Sequence, residues 1–451
     1  MPILTGEVNH PSTSQVPHIT VLLLLVIYFA AVLTEGTRYL TPSSYAFLPD
    51  ARLYLSTPQH ATSDAAAEAH RANAALHSHS ASPSTKAEAK APAEALHTAI
   101  PTFIPKTCAV GLSRTRALIT GVTGMIGSHV ARELARDPCV EIFGLVRPRS
   151  SLDALSGVLA RISLVSGDLT DAHRMLDVIR EVNPTVVYHF AAQAINGISY
   201  ANADITVDAN VRGTLNLLEG LRRAGLSGFE HPNPTRVLLA GSSTQYGRTV
   251  DEVAGPLGEI APLKPVTPYG VSKVATELLG NAYNMSFGLP VITARFFIQV
   301  GIGGTDSLAM HQFCRQIALA EAGLGPRIVL HGNIESARDM TDARDSAPVI
   351  VALAKKGVAG EAYNVGTGVA MKISDLLALA LSHSRVPMDT KTEVARLRPY
   401  DEKVLLADNS KVRALTGWTP RVNMSDTVGG ILDYWRKKTV VLYGTDQQRD
   451  L

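Results

Sequence analysis

The sequence has few cysteines and little net charge. Its 451 residues include only Cys108, Cys139 and Cys314, which lie far apart and form neither a metal-type spacing nor a paired framework. We therefore expect reduced thiols and no metal site. The net charge of +2 provides no strong attraction to nucleic acid, so no nucleic-acid partner is expected.

Large apolar and aromatic residues are nearly absent from residues 57–112, which are rich in Ala, Ser, His and Pro. Such a stretch cannot bury enough surface to offset the entropy lost on ordering. Its five histidines are scattered, which favours a solvated chain over a metal site. The composition predicts a disordered, low-complexity linker.

Charged residues are also absent from the run ITVLLLLVIYFAAVL at 19–33, within an N-terminal segment at 1–56. The run is shorter than the roughly 20 residues that span a bilayer. We interpret it as a retained membrane anchor, with a cleaved signal-like leader and an organelle-targeting leader as alternatives. Arg38 and Arg52 follow it, which places the remaining chain on the cytosolic side of a membrane. Without an anchor or leader, the protein would be cytoplasmic.

From about residue 115 to 440, short β-branched runs alternate with amphipathic stretches rich in Ala and Leu. Strands are predicted at 116–120, 140–146, 163–166, 186–190, 236–240 and 291–295, and the first helix at 126–136. This alternation is typical of an α/β fold with a doubly wound parallel sheet. We assign 115–290 mainly to that sheet, and 296–345 and 370–435 mainly to a smaller C-terminal substrate-binding lobe.

Three glycines follow the first predicted strand, in the spacing G-x-x-G-x-x-G at the start of a helix. Bare backbone N–H groups at a helix N-terminus bind a pyrophosphate, and a strand before the glycines is the context that this motif requires. The pattern predicts a Rossmann-type dinucleotide site. Its candidate residues are Gly121, Thr123, Gly124, Met125, Ile126 and Gly127.

No acidic residue ends the second predicted strand, where NAD enzymes place one to bind the ribose diol. Arg147 and Arg149 lie there instead. Because a guanidinium group binds a 2′-phosphate in a bidentate manner, the sequence favours NADP(H), with NAD(H) as the alternative. The alternative is that both arginines are solvated loop residues that bind no phosphate.

A candidate catalytic trio follows the fifth predicted strand. Ser242 lies in the run G-S-S-T-Q-Y-G, and Tyr269 and Lys273 are four residues apart, on one face of a predicted helix. A nearby ammonium group lowers the pKa of a tyrosine toward the pH at which proton transfer is efficient. We therefore predict that Tyr269 and Lys273, which would also contact the cofactor, act with Ser242 in catalysis.

These motifs resemble those of the extended short-chain dehydrogenase/reductase family, over residues 115–440. The likeness is strongest to its GDP-4-keto-6-deoxy-D-mannose reductases and GDP-mannose 4,6-dehydratases. The motifs that carry it are GNIESARDMTDARD at 332–345, RLRPYD at 396–401, ADNSK at 407–411 and TGWTP at 416–420.

The resemblance implies further site residues. Asp168 and Leu169 would meet the adenine, and Ala191, Ala192 and Gln193 would lie along the cofactor. The expected substrate-binding residues are Ser199, Arg338, Arg398 and Asp401. Asn210 would brace the sheet.

The sequence departs from the family pattern at three positions. Ile298 replaces an asparagine expected near the diphosphate, and Gly304 replaces a glutamine. Position 244 is a threonine, whereas dehydratases have there the glutamate that removes the C5 proton before water leaves. Because a threonine cannot serve as that base, the reductase interpretation is favoured over the dehydratase interpretation.

The resemblance therefore implies NADPH-dependent reduction of the C4 keto group of a GDP-4-keto-6-deoxyhexose. A GDP-mannose 4,6-dehydratase, or another nucleotide-sugar epimerase or dehydratase, is the first alternative. A non-catalytic NADPH-binding protein tethered to a membrane is the second. Relatives often dimerise through a helical bundle, so we expect a homodimer in which the helix after Tyr269 participates.

Overall fold

The computed structural model describes residues 114–398 and 400–443. The N-terminal segment at 1–56 with its apolar run at 19–33, and the linker predicted at 57–112, lie outside the described residues. Within the described part, no helix combines the length and the hydrophobicity that crossing a bilayer requires. The predicted anchor and localisation therefore stay predictions.

Thirteen strands lie in the described residues. They are β1 Thr115–Thr120, β2 Val140–Val146, β3 Ile162–Ser166, β4 Val186–His189, β5 Arg236–Ser242, β6 Val291–Phe296, β7 Ile298–Val300, β8 Ile328–His331, β9 Ala337–Asp342, β10 Ala362–Val365, β11 Ala370–Lys372, β12 Asp389–Thr392 and β13 Val404–Leu405. The six strands predicted from the sequence are confirmed, with small shifts at their ends.

Twelve α-helices connect or cover these strands in the same part of the chain. They are α1 Met125–Leu134, α2 Ala172–Val182, α3 Asn196–Ala201, α4 Ala203–Val207, α5 Gly213–Arg223, α6 Thr249–Glu252, α7 Pro268–Phe287, α8 Ala309–Glu321, α9 Ala343–Lys356, α10 Ile373–Ser382, α11 Ser410–Thr416 and α12 Met424–Tyr443. A stretch of π-helix at Asp208–Arg212 joins α4 to α5.

Seven parallel strands form the main sheet, in the order β10-β6-β5-β4-β1-β2-β3. Apolar clusters cover both of its faces, which explains the nearly continuous apolar runs of the strands. The strand order reverses between β1 and β4, and a crevice opens there at the carboxyl ends of the strands. The predicted Rossmann-type doubly wound fold is confirmed.

A second, smaller unit of structure contains β7, β9, β11 and β13, with β9 paired to the other three. Helices α8, α10 and α12 pack beside it around a separate apolar core that includes Phe313, Leu377 and Trp435. Most of this unit falls in the two ranges predicted for the substrate lobe. Strand β10, which joins the main sheet, comes from a segment that the prediction assigned to neither part.

A buried carboxylate connects the two sheets. Asp339 on β9 is fully buried and accepts hydrogen bonds from the main-chain nitrogens of Thr367 at 2.7 Å, Gly368 at 2.8 Å and Ala407 at 3.2 Å. The hydroxyl of Thr367 donates a fourth bond at 2.7 Å. Thr367 and Gly368 directly follow β10, so this carboxylate fixes the smaller sheet against the edge of the main one.

The cysteines differ from expectation at one position. Cys314 is buried and free, as expected. Cys139 is disulfide-bonded, so the prediction of a reduced thiol is wrong there. Cys108 lies outside the described residues. Spacing in the sequence does not show which distant loops fold close together, and the prediction rested on spacing alone.

Helix α7 has an exposed apolar stripe. Val271, Leu278 and Met285 recur at intervals of seven residues and are 51%, 59% and 78% exposed. Apolar side chains at this spacing form one face of a helix, as in helical bundles. The homodimer predicted from the sequence stays a prediction, and this stripe is the surface that fits it.

The Asp339 contacts generate a prediction about stability. The substitution Asp339→Ala leaves several buried N–H groups without an acceptor, each at a cost of about 1–3 kcal/mol. We expect the free energy of unfolding to fall by about 3 kcal/mol or more in chemical denaturation. The exposed Asp375 on α10 provides the control, since Asp375→Ala should change it by less than about 1 kcal/mol. Equal losses in both variants would contradict the role of Asp339.

Candidate functional site

The glycine loop lies where the main sheet opens. Gly121 follows β1 with a φ of +70°, and α1 begins four residues later. A Cβ atom on Gly121 would lie 2.6 Å from the backbone nitrogen of Ala191, and one on Gly127 would lie 2.3 Å from the carbonyl oxygen of Gly121. Both positions therefore require glycine. The resulting cradle of bare backbone at a helix N-terminus fits a dinucleotide pyrophosphate.

The loop after β4 forms the other wall of this cradle. The nitrogen of Ala191 donates to the hydroxyl of Thr120 at the end of β1, at 3.3 Å. Ala192 and Gln193 continue this loop and are half-buried, as are Thr123, Met125 and Ile126 on the opposite side. The structure thus brings the residues predicted around the pyrophosphate to one crevice.

Asn210 was expected to brace the sheet, and in the structure it fixes the loop after β4. Its side chain accepts from the nitrogen of Gln193 at 2.7 Å and donates to the carbonyl oxygen of Gln193 at 3.1 Å. It also donates to the hydroxyl of Ser272 on α7 at 2.9 Å. Asn210 lies in the π-helical stretch, a rare conformation that is frequent at functional sites.

The neighbouring strand ends carry the residues predicted for the adenine end. Arg147 and Arg149 are exposed after β2, and Asp168 and Leu169 follow β3. A hydrogen bond from the main chain of Thr170 lowers the pKa of Asp168, and the charge of Arg147 contributes to the same shift. Arg147 therefore lies near Asp168, at the edge of the crevice.

The predicted catalytic side chains also come together. Ser242 is the last residue of β5, and α7 carries Tyr269 and Lys273. The Nζ atom of Lys273 lies 5.8 Å from the centre of the Tyr269 ring and donates to the carbonyl oxygen of Ala240 at 2.8 Å. Tyr269 forms a side-chain hydrogen bond with Ser242.

The acidity of Tyr269 differs from the sequence-based expectation. Burial raises its pKa to about 12, and the hydrogen bond with Ser242 opposes this shift only in part. Burial also lowers the pKa of Lys273 to about 8. The expected lowering of the tyrosine pKa by the ammonium group is therefore not seen in the protein alone. At neutral pH, Tyr269 is a phenol that can donate a proton.

Two hydrogen bonds from Thr244 orient the hydroxyl of Ser242. The Oγ atom of Ser242 accepts from the nitrogen of Thr244 at 3.2 Å and from its hydroxyl at 2.9 Å. A hydroxyl group has two acceptor lone pairs and one proton to donate. Both acceptor positions are occupied here, so Ser242 has its proton available for Tyr269 or for a reacting oxygen.

The four predicted substrate residues occupy different environments. Arg338 is buried and donates to Asp401 at 2.5 Å and to the main-chain oxygen of Glu402 at 2.6 Å. Arg398 is half-exposed, with its Nη1 atom 4.0 Å from Asp401. Ser199 is fully buried, and its hydroxyl donates to the main chain of Asn196 at 2.7 Å. Of these side chains, Arg398 is the cation with the most open access to solvent.

The two departures from the family pattern in the run at 295–304 have structural counterparts. Ile298 on β7 is partly buried against the core of the smaller unit. The ring of His311 fills the space beside Gly304, and its Nε2 atom lies 3.0 Å from the carbonyl oxygen of Gly301. His311 thereby stabilises the loop before α8.

Next to this loop lies a cavity of about 410 Å³ that the sequence reasoning missed. Its lining is Ile195, Gly197, Ile198, Asp306, Ser307, Gln312, Arg315, Gln316 and Arg396. Gln312, Arg315 and Gln316 follow one another at helical spacing on one face of α8, a polar stripe that the sequence did show. Arg315 and Arg396 bring two guanidinium groups to the cavity, and Arg396 already donates to Glu393 and to Gln312. Among the described residues, no cluster of His, Cys, Asp and Glu side chains is arranged to hold a metal ion.

Comparison with known proteins agrees with this geometry. The sequence model of the family described as GDP-mannose 4,6 dehydratase matches residues 118–430. A GDP-6-deoxy-D-mannose reductase from Pseudomonas aeruginosa is 29% identical over 323 residues, which cover 72% of this chain and 98% of that protein. A GDP-mannose 4,6-dehydratase from Yersinia enterocolitica is 25% identical over 349 residues, covering 69% of this chain and 91% of that protein.

Solved structures show the same fold. The structure of RMD from Pseudomonas aeruginosa complexed with NADPH superposes with a TM-score of 0.60 at 27% identity, covering 72% of this chain and all of that one. A dTDP-glucose 4,6-dehydratase from Streptomyces venezuelae with NAD bound gives a TM-score of 0.63 at 26% identity, covering 72% and 98% of the two chains.

The glycine cradle generates a prediction about ligand binding. In Gly127→Ala the new methyl group meets the carbonyl oxygen of Gly121, and overpacking of this kind costs about 1–3 kcal/mol. We expect the affinity for a nicotinamide dinucleotide, measured by calorimetry, to fall about 10- to 100-fold. Gly258→Ala is the control, since Gly258 has no positive φ and a Cβ atom there would meet nothing closer than the Oδ2 atom of Asp408 at 3.8 Å. Unchanged affinity in Gly127→Ala would contradict the assignment of the cradle.

Proposed function

Because the chain belongs to the GDP-mannose 4,6-dehydratase family, whose members compared above are nucleotide-sugar reductases and dehydratases, we propose that it is a reductase. The reaction is the NADPH-dependent reduction of the C4 keto group of a GDP-4-keto-6-deoxyhexose. The relative from Pseudomonas aeruginosa, which is matched over nearly its whole length, supports this choice.

The observation that carries the proposal is the environment of Thr244. A dehydratase needs a carboxylate at this position to remove the C5 proton. Here the side chain is a hydroxyl that donates to Ser242 at 2.9 Å. Thr244 thus takes part in the hydrogen bonding of the trio and offers no base for water elimination.

The protonation of Tyr269 meets a requirement of ketone reduction. Reduction of a ketone requires a proton donor beside the carbonyl oxygen. Burial raises the pKa of Tyr269 to about 12, so the phenol retains its proton throughout the neutral range.

The trio and the crevice assign a role to each group. The glycine cradle would hold NADPH, which would supply the hydride for the C4 carbon. The phenol of Tyr269 gives its proton to the C4 oxygen, which becomes a hydroxyl group. Ser242 donates a hydrogen bond to the same oxygen and stabilises the negative charge that develops there. The ammonium group of Lys273 then stabilises the tyrosinate until solvent returns the proton.

Cofactor preference follows from the residues at the crevice edge. Arg147 and Arg149 are exposed beyond the second strand, where a 2′-phosphate would lie. A guanidinium group recognises the phosphate that distinguishes NADPH from NADH. The solved relative with NADPH supports this assignment, and that with NAD keeps NADH as the alternative.

The cavity beside α8 is the proposed place of the nucleotide diphosphate. Its volume of about 410 Å³ lies within the range of small-molecule sites. Arg315 provides donors for phosphate oxygens. Ile195, Gly197 and Ile198 come from the segment that follows the cofactor loop after β4, so the cavity adjoins the crevice.

The reaction assignment is tested by product analysis. The purified protein, incubated with NADPH and GDP-4-keto-6-deoxymannose, should consume NADPH and yield a GDP-6-deoxyhexose in mass spectrometry. Tyr269→Phe should lower the rate about 10²- to 10⁴-fold, since it removes the proton donor. Loss of water from GDP-mannose by the protein alone would instead establish the dehydratase alternative. Cofactor binding without turnover across a panel of nucleotide sugars would support the non-catalytic alternative.

The nucleotide cavity generates a separate binding prediction. Loss of a charge-assisted bond costs about 1.5–3 kcal/mol, so Arg315→Gln should weaken GDP binding about 10- to 100-fold. NADPH binding should stay unchanged, because Arg315 is not at the glycine cradle. The exposed Arg327 lies outside the cavity lining, and Arg327→Gln is the matched control. Equal GDP affinity in both variants would place the nucleotide elsewhere.

A further inference from the structure

We infer that Gln245 is a positioning residue for Ser242, and that the buried ion pair of Glu277 and Arg295 holds Gln245 in place. The kinetic part of this inference rests on the proposed reduction. The structural part concerns the geometry of Ser242 and Tyr269 alone. Neither the sequence reasoning nor the resemblance assigned a role to these three residues.

Gln245 uses both ends of its side-chain amide. Its Oε1 atom accepts from the main-chain nitrogen of Ser242 at 2.7 Å, and its Nε2 atom donates to Glu277 at 2.8 Å. Gln245 is fully buried. Because one partner is a donor and the other a carboxylate, reversing the amide would break both bonds. The surroundings therefore fix the side chain in one orientation.

The carboxylate that fixes Gln245 is itself fixed by a guanidinium group. Arg295 on β6 donates to Glu277 through Nε at 2.9 Å and through Nη2 at 2.5 Å. The two side chains are only 6% and 7% exposed. Attraction between the charges and a bidentate geometry offset the cost of removing both groups from water. The Oε2 atom of Glu277 also accepts from Gln245, and Glu277 is buried away from solvent.

Helix α7 connects these contacts to the catalytic trio, because it carries Tyr269, Lys273 and Glu277. Glu277 follows Lys273 by four residues and Tyr269 by eight, so the three side chains lie along one face of the helix. Gln245 ties that face to the end of β5, where Ser242 lies. The relative position of Ser242 and Tyr269 is thus fixed by a second connection, in addition to their own hydrogen bond.

The expected effect is on the chemical step. Thr244 orients the hydroxyl of Ser242, whereas Gln245 holds its main chain. A displacement of catalytic groups by about 1 Å costs about 10²-fold in rate. Substrate and cofactor bind through other residues, so their affinities should stay unchanged while the rate falls.

The first test is Gln245→Met, which keeps the volume of the side chain and removes both hydrogen bonds. We expect kcat to fall about 10²-fold, with KM for the sugar nucleotide and the affinity for NADPH within about threefold of the parent. Thermal melting establishes that the variant is folded.

The second test is Gln245→Glu, which has a signature that a merely structural role would not produce. A carboxyl group at 245 retains a proton while it faces Glu277, because two adjacent carboxylates do not both ionise readily. That protonated form accepts from Ser242 and donates to Glu277, as the amide does. At about pH 6 its kcat should approach that of the parent, and it should fall as the pH rises and the shared proton leaves. The parent should keep its kcat until about pH 8, where Lys273 loses its proton.

Tyr283→Phe is the matched control. Tyr283 lies on the same helix, is nearly buried and donates to Glu219 at 2.9 Å, with no contact to the network around Ser242. Its loss should leave both kcat and the pH profile unchanged. Parental kcat in folded Gln245→Met, or a Gln245→Glu profile parallel to that of the parent, would overturn the inference. If Gln245→Met does not fold, the pH dependence of kcat in Gln245→Glu tests the inference by itself.

A crystal structure separates this inference from the proposed function. If the parent reduces no GDP-4-keto sugar, the proposed function fails. Crystals of Gln245→Met and of the parent with NADPH then give the distance between Ser242 Oγ and Tyr269 Oη in each. An increase of about 0.5 Å or more in the variant supports the positioning role, and an unchanged distance overturns it.

Discussion

The main chain at Gly121 and at Ala191 approaches so closely that a single methyl group would not fit between the two loops. This approach requires two adjacent parallel strands, β1 and β4, whose connections leave on opposite sides of the sheet. Main-chain N–H groups line the bottom of the crevice that results. The trio lies beside it because β5 is the next strand in the sheet. The order of the strands in the sheet therefore determines where the candidate site lies.

Much of this arrangement is predictable from the sequence, because the local signals agree with the fold. The glycine spacing, the alternation of strands and helices and the pair Tyr269 and Lys273 each depend on residues that are close in the chain. The cavity beside α8 shows the limit of such reasoning. Arg315 belongs to a polar stripe that a solvated helix face would also have, and only the fold brings it to Ile195 and Arg396.

Electrostatics is the other point at which the sequence is insufficient. The four-residue spacing correctly indicates that Lys273 lies near Tyr269, but it does not indicate how deeply the phenol is buried. Burial raises the pKa of Tyr269 to about 12, and the hydrogen bond with Ser242 opposes this shift only in part. Similarly, Arg338 matches a family position around the nucleotide, yet it is engaged with Asp401 and Glu402. The partners of a buried charge come from distant parts of the chain.

The carboxylate of Asp339 has a consequence for how a substrate enters. Four hydrogen bonds join it to the segments after β10 and β13, so the smaller unit cannot rock away from the main sheet without leaving buried donors unpaired. On the surface, the hydroxyl of Tyr400 donates to Asp251 on α6 at 2.9 Å and joins two distant parts of the chain. A ligand that enters the crevice therefore meets two sheets whose relative position is held by the buried carboxylate of Asp339.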